Sequence, residues 1–366
     1  MNKEKIFFFI GTTAELIKVF PIMKELERRS KSYQLIASGQ NKLDGDIIFR
    51  TKIRPVDIQL SDSDINQSVF SLFSWFFLTT VKSLFKLRTY FKGSNRDNTV
   101  LIVHGDTIST VMGALLGKFF RLKIIHIEAG LRSYNFFNPF PEEIDRMIVS
   151  KLADIHCCPN SWALKNVEKK SGLKVNTFQN TLLDSLNFAL SIEKKSDLYN
   201  ELSSKDFFIF VFHRQENLFN EELLKTIFAK VIEYSENNIQ CLLIMHKPTE
   251  AALRKANMLE DIRVRTSIKI TNRLSYFDFM DVLSMSKFIV TDGGSNQEES
   301  YYFGKPCLIL RKTTERNEGV GENVVLSHLK MDNIDEFFAN YKSYNREKVC
   351  LETSPSSLIV NAVLSD

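Results

Sequence analysis

The chain is poor in charge of one sign, in paired cysteines and in long apolar runs. Its 366 residues hold 48 Lys+Arg against 44 Asp+Glu, a formal net charge of +4. That balance leaves no basic footprint for nucleic acid. Five cysteines in a chain of this length do not make a disulfide framework, and none are spaced C-x-x-C. A reducing cytoplasm is therefore the expected compartment. The apolar block at 6–10 is too short for a signal-peptide core and lacks a small-residue cleavage site. No apolar stretch reaches the roughly 20 residues that a bilayer span needs. Low-complexity tracts and internal repeats are absent as well. So are the P-loop, the dinucleotide-binding glycine pattern, the G-x-S-x-G elbow and zinc-ligand spacings.

What is present is an ordinary globular composition, 44% hydrophobic and 25% charged. At roughly 100–200 residues per domain, the length suggests two domains. Short β-branched or aromatic runs alternate with helical patterns. In the first half, strands are expected at 5–10, 33–37, 99–103, 123–127 and 155–158. Helices are expected at 15–29, 68–91, 108–120 and 142–153. The pattern restarts near Asp206, with strands at 207–212, 241–245, 288–291 and 307–310. Helices at 221–234, 276–284 and 297–303 lie among them. This is an α/β protein with two parallel-sheet domains. The polar stretch 193–205 lies between the halves, so the domains are expected at 1–190 and 191–349.

The chain has 30 Phe, many of them in 68–91, just ahead of Lys82, Lys86, Arg88 and Lys92. The plain reading is a buried helix with a basic outer end. A sharper one is a weak membrane-surface contact through 68–92.

In open parallel sheets, ligands bind beyond the carboxyl ends of the strands. Here the expected strands end at His104-Gly105-Asp106, Glu128, His213-Arg214, His246-Lys247, Asp292-Gly293-Gly294-Ser295 and Arg311. Three of the six histidines fall at these ends. Such a pattern points to a ligand cleft between the domains. The Asp292-Gly293-Gly294-Ser295 turn opens a helix, whose N-terminus suits a phosphate. Glu298 and Glu299 could reach a ribose diol, although one of them can equally serve the helix dipole. Pro141-Glu142-Glu143 reads first as a helix start. Lys18, Arg132, Arg146, Arg311 and Arg316 could neutralise a diphosphate or be surface charges. Asp106 and Glu128 could hold a metal, but the basic groups around them argue against one.

Several motifs together carry a family resemblance. They are His104-Gly105-Asp106-Thr107, Glu128-Ala129-Gly130-Leu131-Arg132 and Pro139-Phe140-Pro141-Glu142-Glu143-Ile144-Asp145-Arg146. Gln297-Glu298-Glu299, Gly304-Lys305-Pro306 and Thr313-Thr314-Glu315-Arg316 follow in the same order. The chain resembles the bacterial non-hydrolysing UDP-N-acetylglucosamine 2-epimerases, from its first strand to about Val325. The resemblance implies a GT-B fold: two Rossmann-like domains facing a central cleft, with the C-terminal segment, about 350–366, packing back on the first. It implies a UDP-sugar ligand and no cofactor, and we expect a homodimer. Asp106, Glu128, Glu142 and His213 fall at the family's catalytic positions. Lys18, Arg146, His246, Glu299 and Arg316 fall at substrate-binding positions, and the Gly294-Ser295 turn is placed for the diphosphate.

The implied reaction inverts C2 of the sugar. That hydrogen is not acidic, because no carbonyl is adjacent. Elimination of UDP to a glucal, followed by re-addition, solves the problem and needs an acid/base group on each face. Cations and amide donors must steady the departing diphosphate. Three departures from the family pattern stand out. Gly11-Thr12-Thr13-Ala14-Glu15 replaces Gly-Thr-Arg-Pro-Glu, Gly39-Gln40-Asn41 replaces Gly-Gln-His, and Asp292-Gly293-Gly294-Ser295 replaces Asp-Ser-Gly-Gly. The competing readings are a hydrolysing 2-epimerase, a GT-B glycosyltransferase with a UDP-sugar donor, and an inactive sugar-nucleotide-binding module.

Overall fold

A computed structural model describes residues 5–62, 69–135, 141–192, 196–314 and 316–365. Ser68, Pro139, Phe140, Glu315 and positions 193–195 of the polar stretch lie outside the described residues. The chain divides into two units, Met1–Phe188 with Glu352–Asp366, and Ala189–Leu351.

The first unit holds a parallel seven-stranded sheet in the order β3-β2-β1-β4-β5-β6-β7. Its strands are β1 (Lys5–Ile10), β2 (Gln34–Ala37), β3 (Ile58–Gln59), β4 (Thr99–His104), β5 (Lys123–Ile127), β6 (Ile155–Cys158) and β7 (Leu173–Asn176). The central strands are buried along almost their whole length: all of β4, and all of β1 after Lys5. Helices cover both faces of such a sheet, so alternation of polar and apolar residues is not needed. Helix Ile108–Phe119 packs so closely that a methyl group on Gly113 would lie 2.8 Å from the Phe9 ring.

The second unit repeats the plan with six parallel strands in the order β10-β9-β8-β11-β12-β13. These are β8 (Phe207–Val211), β9 (Gln240–Met245), β10 (Ile268–Asn272), β11 (Ile289–Thr291), β12 (Cys307–Ile309) and β13 (Val324–Leu326). Its core is built from aromatic rings. Phe208 stacks on Phe288 at 4.8 Å, and Phe210 meets Phe228 edge-on at 5.0 Å.

Both sheets follow the doubly wound order. The strand order reverses between β1 and β4 in the first unit and between β8 and β11 in the second. Crevices at such switch points are where these folds take ligands.

Helix Val69–Arg88 departs from its plain reading. Trp75, Thr79, Ser83 and Leu87 are buried, but Phe77 is 68% and Phe85 76% exposed. The helix is buried along one side, and its outer face is aromatic as well as basic. Among the described residues, no helix is long and apolar enough to cross a membrane.

Candidate active site

In the first unit, the β1–β4 switch point is held together by Glu15. Thr12 caps helix Thr13–Arg28 in a capping box with Glu15. The Glu15 carboxylate accepts from the Gly11 and Thr12 amides, at 2.5 and 3.1 Å. It also accepts from the Thr107 hydroxyl at 2.5 Å, so the turns after β1 and β4 share one anchor. Burial pushes the Glu15 carboxyl up to about 7, against those hydrogen bonds. Gly105 carries φ +71°, and its carbonyl accepts from the buried His126 Nε2 at 2.7 Å. Burial lowers His126 to about 4, so this imidazole is neutral at physiological pH.

The turn after β4 presents Asp106, and the turn after β5 presents Glu128. Lys18, one turn into its helix, places Nζ 2.8 Å from both Glu128 carboxylate oxygens. His104 Nε2 lies 3.2 Å from Glu128 Oε2. Glu128 itself has φ +62°, a conformation rare and strained for a residue with a side chain. Two residues on, Gly130 has φ +85°, and a Cβ there would sit 2.1 Å from the Ala163 carbonyl oxygen. The Glu-Ala-Gly run is therefore a tight turn pressed against helix Ser161–Val167.

Helix Glu142–Leu152 supplies the rest of this group. Pro141 precedes it, and Glu142, Glu143 and Asp145 fill its first turn. Arg146 Nη2 pairs with Asp106 Oδ2 at 2.5 Å. Glu143 is structural: it takes Arg132 Nε at 2.5 Å and the Ser133 amide at 2.8 Å. Arg132 thus latches the turn after β5 to this helix, although the sequence offered it as a diphosphate cation. Lys18–Glu128 and Asp106–Arg146 are two ion pairs, with the Glu128 charge also acting on Arg146 and Glu142 at the head of the helix that carries Arg146.

The second unit builds another group at the β8–β11 switch point. Asp292, fully buried, accepts from the backbone amides of His213 and Arg214 and from Asn217 Nδ2. His213 Nδ1 lies 3.2 Å from Asp292 Oδ1. The His213 ring stacks on His246, with centroids 4.8 Å apart and planes inclined by 17°. Burial lowers His213, with the Asp292 carboxylate opposing; burial, His213 and Arg273 together lower His246 to about 4. Gly293 has no side chain because a Cβ would meet Asn296 Oδ1 at 2.7 Å and His213 Cε1 at 3.1 Å. Gly294 begins the helix Gly294–Phe303, and Ser295 is exposed in its first turn.

The Gln297-Glu298-Glu299 run divides its labour. Gln297 donates to the Arg316 and Glu318 carbonyls and accepts from Thr314. Glu298 is fully buried and pairs with Arg316 Nη1 at 2.7 Å. Arg316 is thereby held by Glu298 rather than offered as an unopposed cation. Glu299 accepts from Asn296 Nδ2 at 3.0 Å. Glu298 is therefore the member of the pair with a structural job.

Sequence reasoning passed over Glu15, His126, Asp145 and the Asp292–His213 contact. Thr12 and Glu15 stand at capping-box spacing, a signal that was available. His126 lies inside a strand, where an inward polar side chain has no local signature.

The sequence profile described as UDP-N-acetylglucosamine 2-epimerase matches residues 24–351. A UDP-N-acetylglucosamine 2-epimerase of Campylobacter jejuni is 31% identical, and the match covers 93% of each chain. The structure of the S. aureus MnaA–UDP complex superposes with TM-score 0.79 at 28% identity, covering 99% of this chain and 96% of that one. The Neisseria meningitidis UDP-GlcNAc 2-epimerase bound to UDP-GlcNAc gives TM-score 0.79 at 25% identity, covering 98% and 99%. The two doubly wound sheets, the acid–cation group and the match along nearly the whole chain agree: the chain belongs to the UDP-N-acetylglucosamine 2-epimerase family.

Proposed function

We propose that the chain is a non-hydrolysing epimerase that interconverts UDP-N-acetylglucosamine and UDP-N-acetylmannosamine, or a related UDP-2-acetamido sugar. The observation that carries this reading is the group Lys18, Asp106, Glu128 and Arg146, with Glu142 on the helix that bears Arg146. Carboxylates accompanied by fixed cations suit removal and return of a proton beside a developing anion.

The steps balance without a cofactor. A carboxylate takes the C2 proton, and the C–H electrons form the C1–C2 double bond. The C1–O electrons leave with UDP. The nucleotide then re-adds at C1 as an acid protonates C2 from the other face. Asp106, Glu128 and Glu142 are the proposed acid/base set. His213, oriented by Asp292, is the proposed group for charge on the departing diphosphate, with the amides of the Gly294-Ser295 turn. Lys18, Arg146, His246, Glu299 and Arg316 are the proposed binding residues, Arg316 together with its partner Glu298.

Incubation with UDP-N-acetylglucosamine in heavy water, followed by NMR, tests the reading. Deuterium at C2 with UDP still attached is the expected result. Free N-acetylmannosamine and UDP would make it a hydrolysing enzyme. Turnover only on addition of a sugar acceptor would make it a transferase. A homodimer in the cytoplasm feeding surface-polysaccharide synthesis completes the proposal. Sedimentation tests the dimer, and flotation with anionic vesicles tests the weak membrane contact of 68–92.

A further inference from the structure

Asp145 is a buried acid for which the mechanism above has no use. It is 6% exposed, and its Oδ2 has no hydrogen-bond partner among the described residues. A buried carboxylate normally carries a partner, because an unpaired ionised group is costly to bury. Its surroundings make ionisation harder still. Asp106, in the turn after β4, and Glu142, on the same helix, both act on Asp145 as like charges, and Arg146 is the cation that offsets them. Arg146 is already shared: Asp106 takes Nη2 at 2.5 Å, and Glu143 lies 3.5 Å from Nη1. Glu128, at the end of β5, also acts on that guanidinium. Behind these, Lys18 is taken by Glu128, Arg132 by Glu143, and the His126 imidazole is neutral. Within this set Arg146 alone acts on Asp145 as a cation, and its Nη2 is already taken by Asp106.

We propose that Asp145 is a positioning residue that keeps its proton beside Asp106 and Glu142, and so leaves the charge of Arg146 to Asp106. A neutral carboxyl makes no claim on the guanidinium. An ionised one adds a further anion to the group and weakens the hold of Arg146 on Asp106. Burial and the two like charges push the Asp145 carboxyl from 3.8 up to about 7, which agrees with this geometry. The kinetic part of the inference rests on the epimerase reading; the proton itself does not.

The test is Asp145→Asn, which keeps size and cannot ionise. In the parent, the folded state holds a proton that the unfolded chain loses near pH 4. Parent stability contributed by this group therefore falls from about pH 4 to about pH 7 and then levels. The melting temperature of the variant relative to the parent should climb over that interval, by several degrees in all. A residue that merely holds the fold together would give a variant that is less stable at every pH. In kcat/KM, the alkaline limb of the parent should move to higher pH in the variant. Each unit of displacement is about tenfold in rate at a fixed pH on that limb. Parallel melting curves or an unmoved limb would overturn the proposal. If the enzyme proves inactive on UDP-N-acetylglucosamine, the functional reading fails while the melting series still reports the proton. Should the variant not fold, carboxyl 13C NMR of the parent decides: titration near 7 supports the proposal, and titration near the ordinary 3.8 refutes it.

Discussion

Glu128 concentrates the conflict between stability and chemistry. It sits at φ +62° with its carboxylate buried against Lys18 and His104. Glu128→Gln leaves the Lys18 ammonium without its counter-charge, and breaking a buried pair from one side costs about 3–5 kcal/mol. Asp106 is 28% exposed at the side chain, so its replacement by Asn should cost less fold and more rate. We expect Asp106→Asn, Glu128→Gln and Glu142→Gln each to lower kcat by about 10²–10⁴-fold while UDP-sugar binding survives. Calorimetric binding beside turnover measures both halves. Near-normal turnover in all three variants would end the elimination mechanism for this chain.

At the scale of elements, the loop between β2 and helix Gly45–Thr51 is tied to the start of the first helix. Thr13 Oγ1 accepts from the Asp44 amide at 3.1 Å and donates to the Lys42 carbonyl at 3.4 Å. The Asn41 amide donates to the Gly11 carbonyl at 3.0 Å. Gln40 Oε1 accepts from the Ser109 hydroxyl at 2.6 Å. Thr13 is therefore occupied in holding this loop, at the position where the family pattern has Arg. Asn41 cannot bring the positive charge of an imidazolium. One charge-assisted hydrogen bond lost is worth about 1.5–3 kcal/mol. Rates should be hyperbolic in the sugar nucleotide, with weak affinity. Reaction from the manno epimer should need no added gluco epimer. Initial rates with and without a trace of the gluco epimer check this, and a strict requirement for the trace would contradict it.

Over the whole molecule, the chain leaves the first unit near Phe188 and rejoins it at Glu352. Helix Pro355–Leu364 buries Ile359, Val360 and Val363 there. Arg29 fastens it, donating to Asn361 Oδ1 at 2.6 Å and Ser357 Oγ at 2.8 Å. Glu25 holds Arg29 at 2.7 Å, and Arg28 and Arg29 pull its carboxyl down to about 2. A depressed carboxyl pKa contributes stability above about pH 4.5 that is lost as pH falls toward 2. Each large aliphatic side chain buried contributes about 1.5–3 kcal/mol. Truncation after Leu351 should therefore destabilise the first unit and leave the melting of the second unchanged. Calorimetry resolves the two transitions. Arg29→Ala should raise hydrogen exchange in 355–364 specifically.

The interior strands of both sheets could be read directly from sequence, because a strand buried on both faces reads as a near-continuous apolar run. β1, β4, β5, β8 and β9 declare themselves in that way. The strands that escaped notice are β3, β7, β10 and β13, the outer edges of the two sheets. β7 is Leu-Lys-Val-Asn and only half-buried, so nothing in its composition separates it from a loop. Asp106, Glu128, His213 and Asp292 were visible as ionisable residues just past strand ends, since parallel sheets put functional groups there. Sequence alone could not tell Glu298 from Glu299, or a free Arg132 or Arg316 from a paired one. Those distinctions depend on which carboxylate a guanidinium meets across the fold: Glu143 for Arg132 and Glu298 for Arg316. Sequence determined which residues are ionisable and which strands are central. Tertiary structure decided which charges are already neutralised, because pairing is a property of distance in space and not of order along the chain.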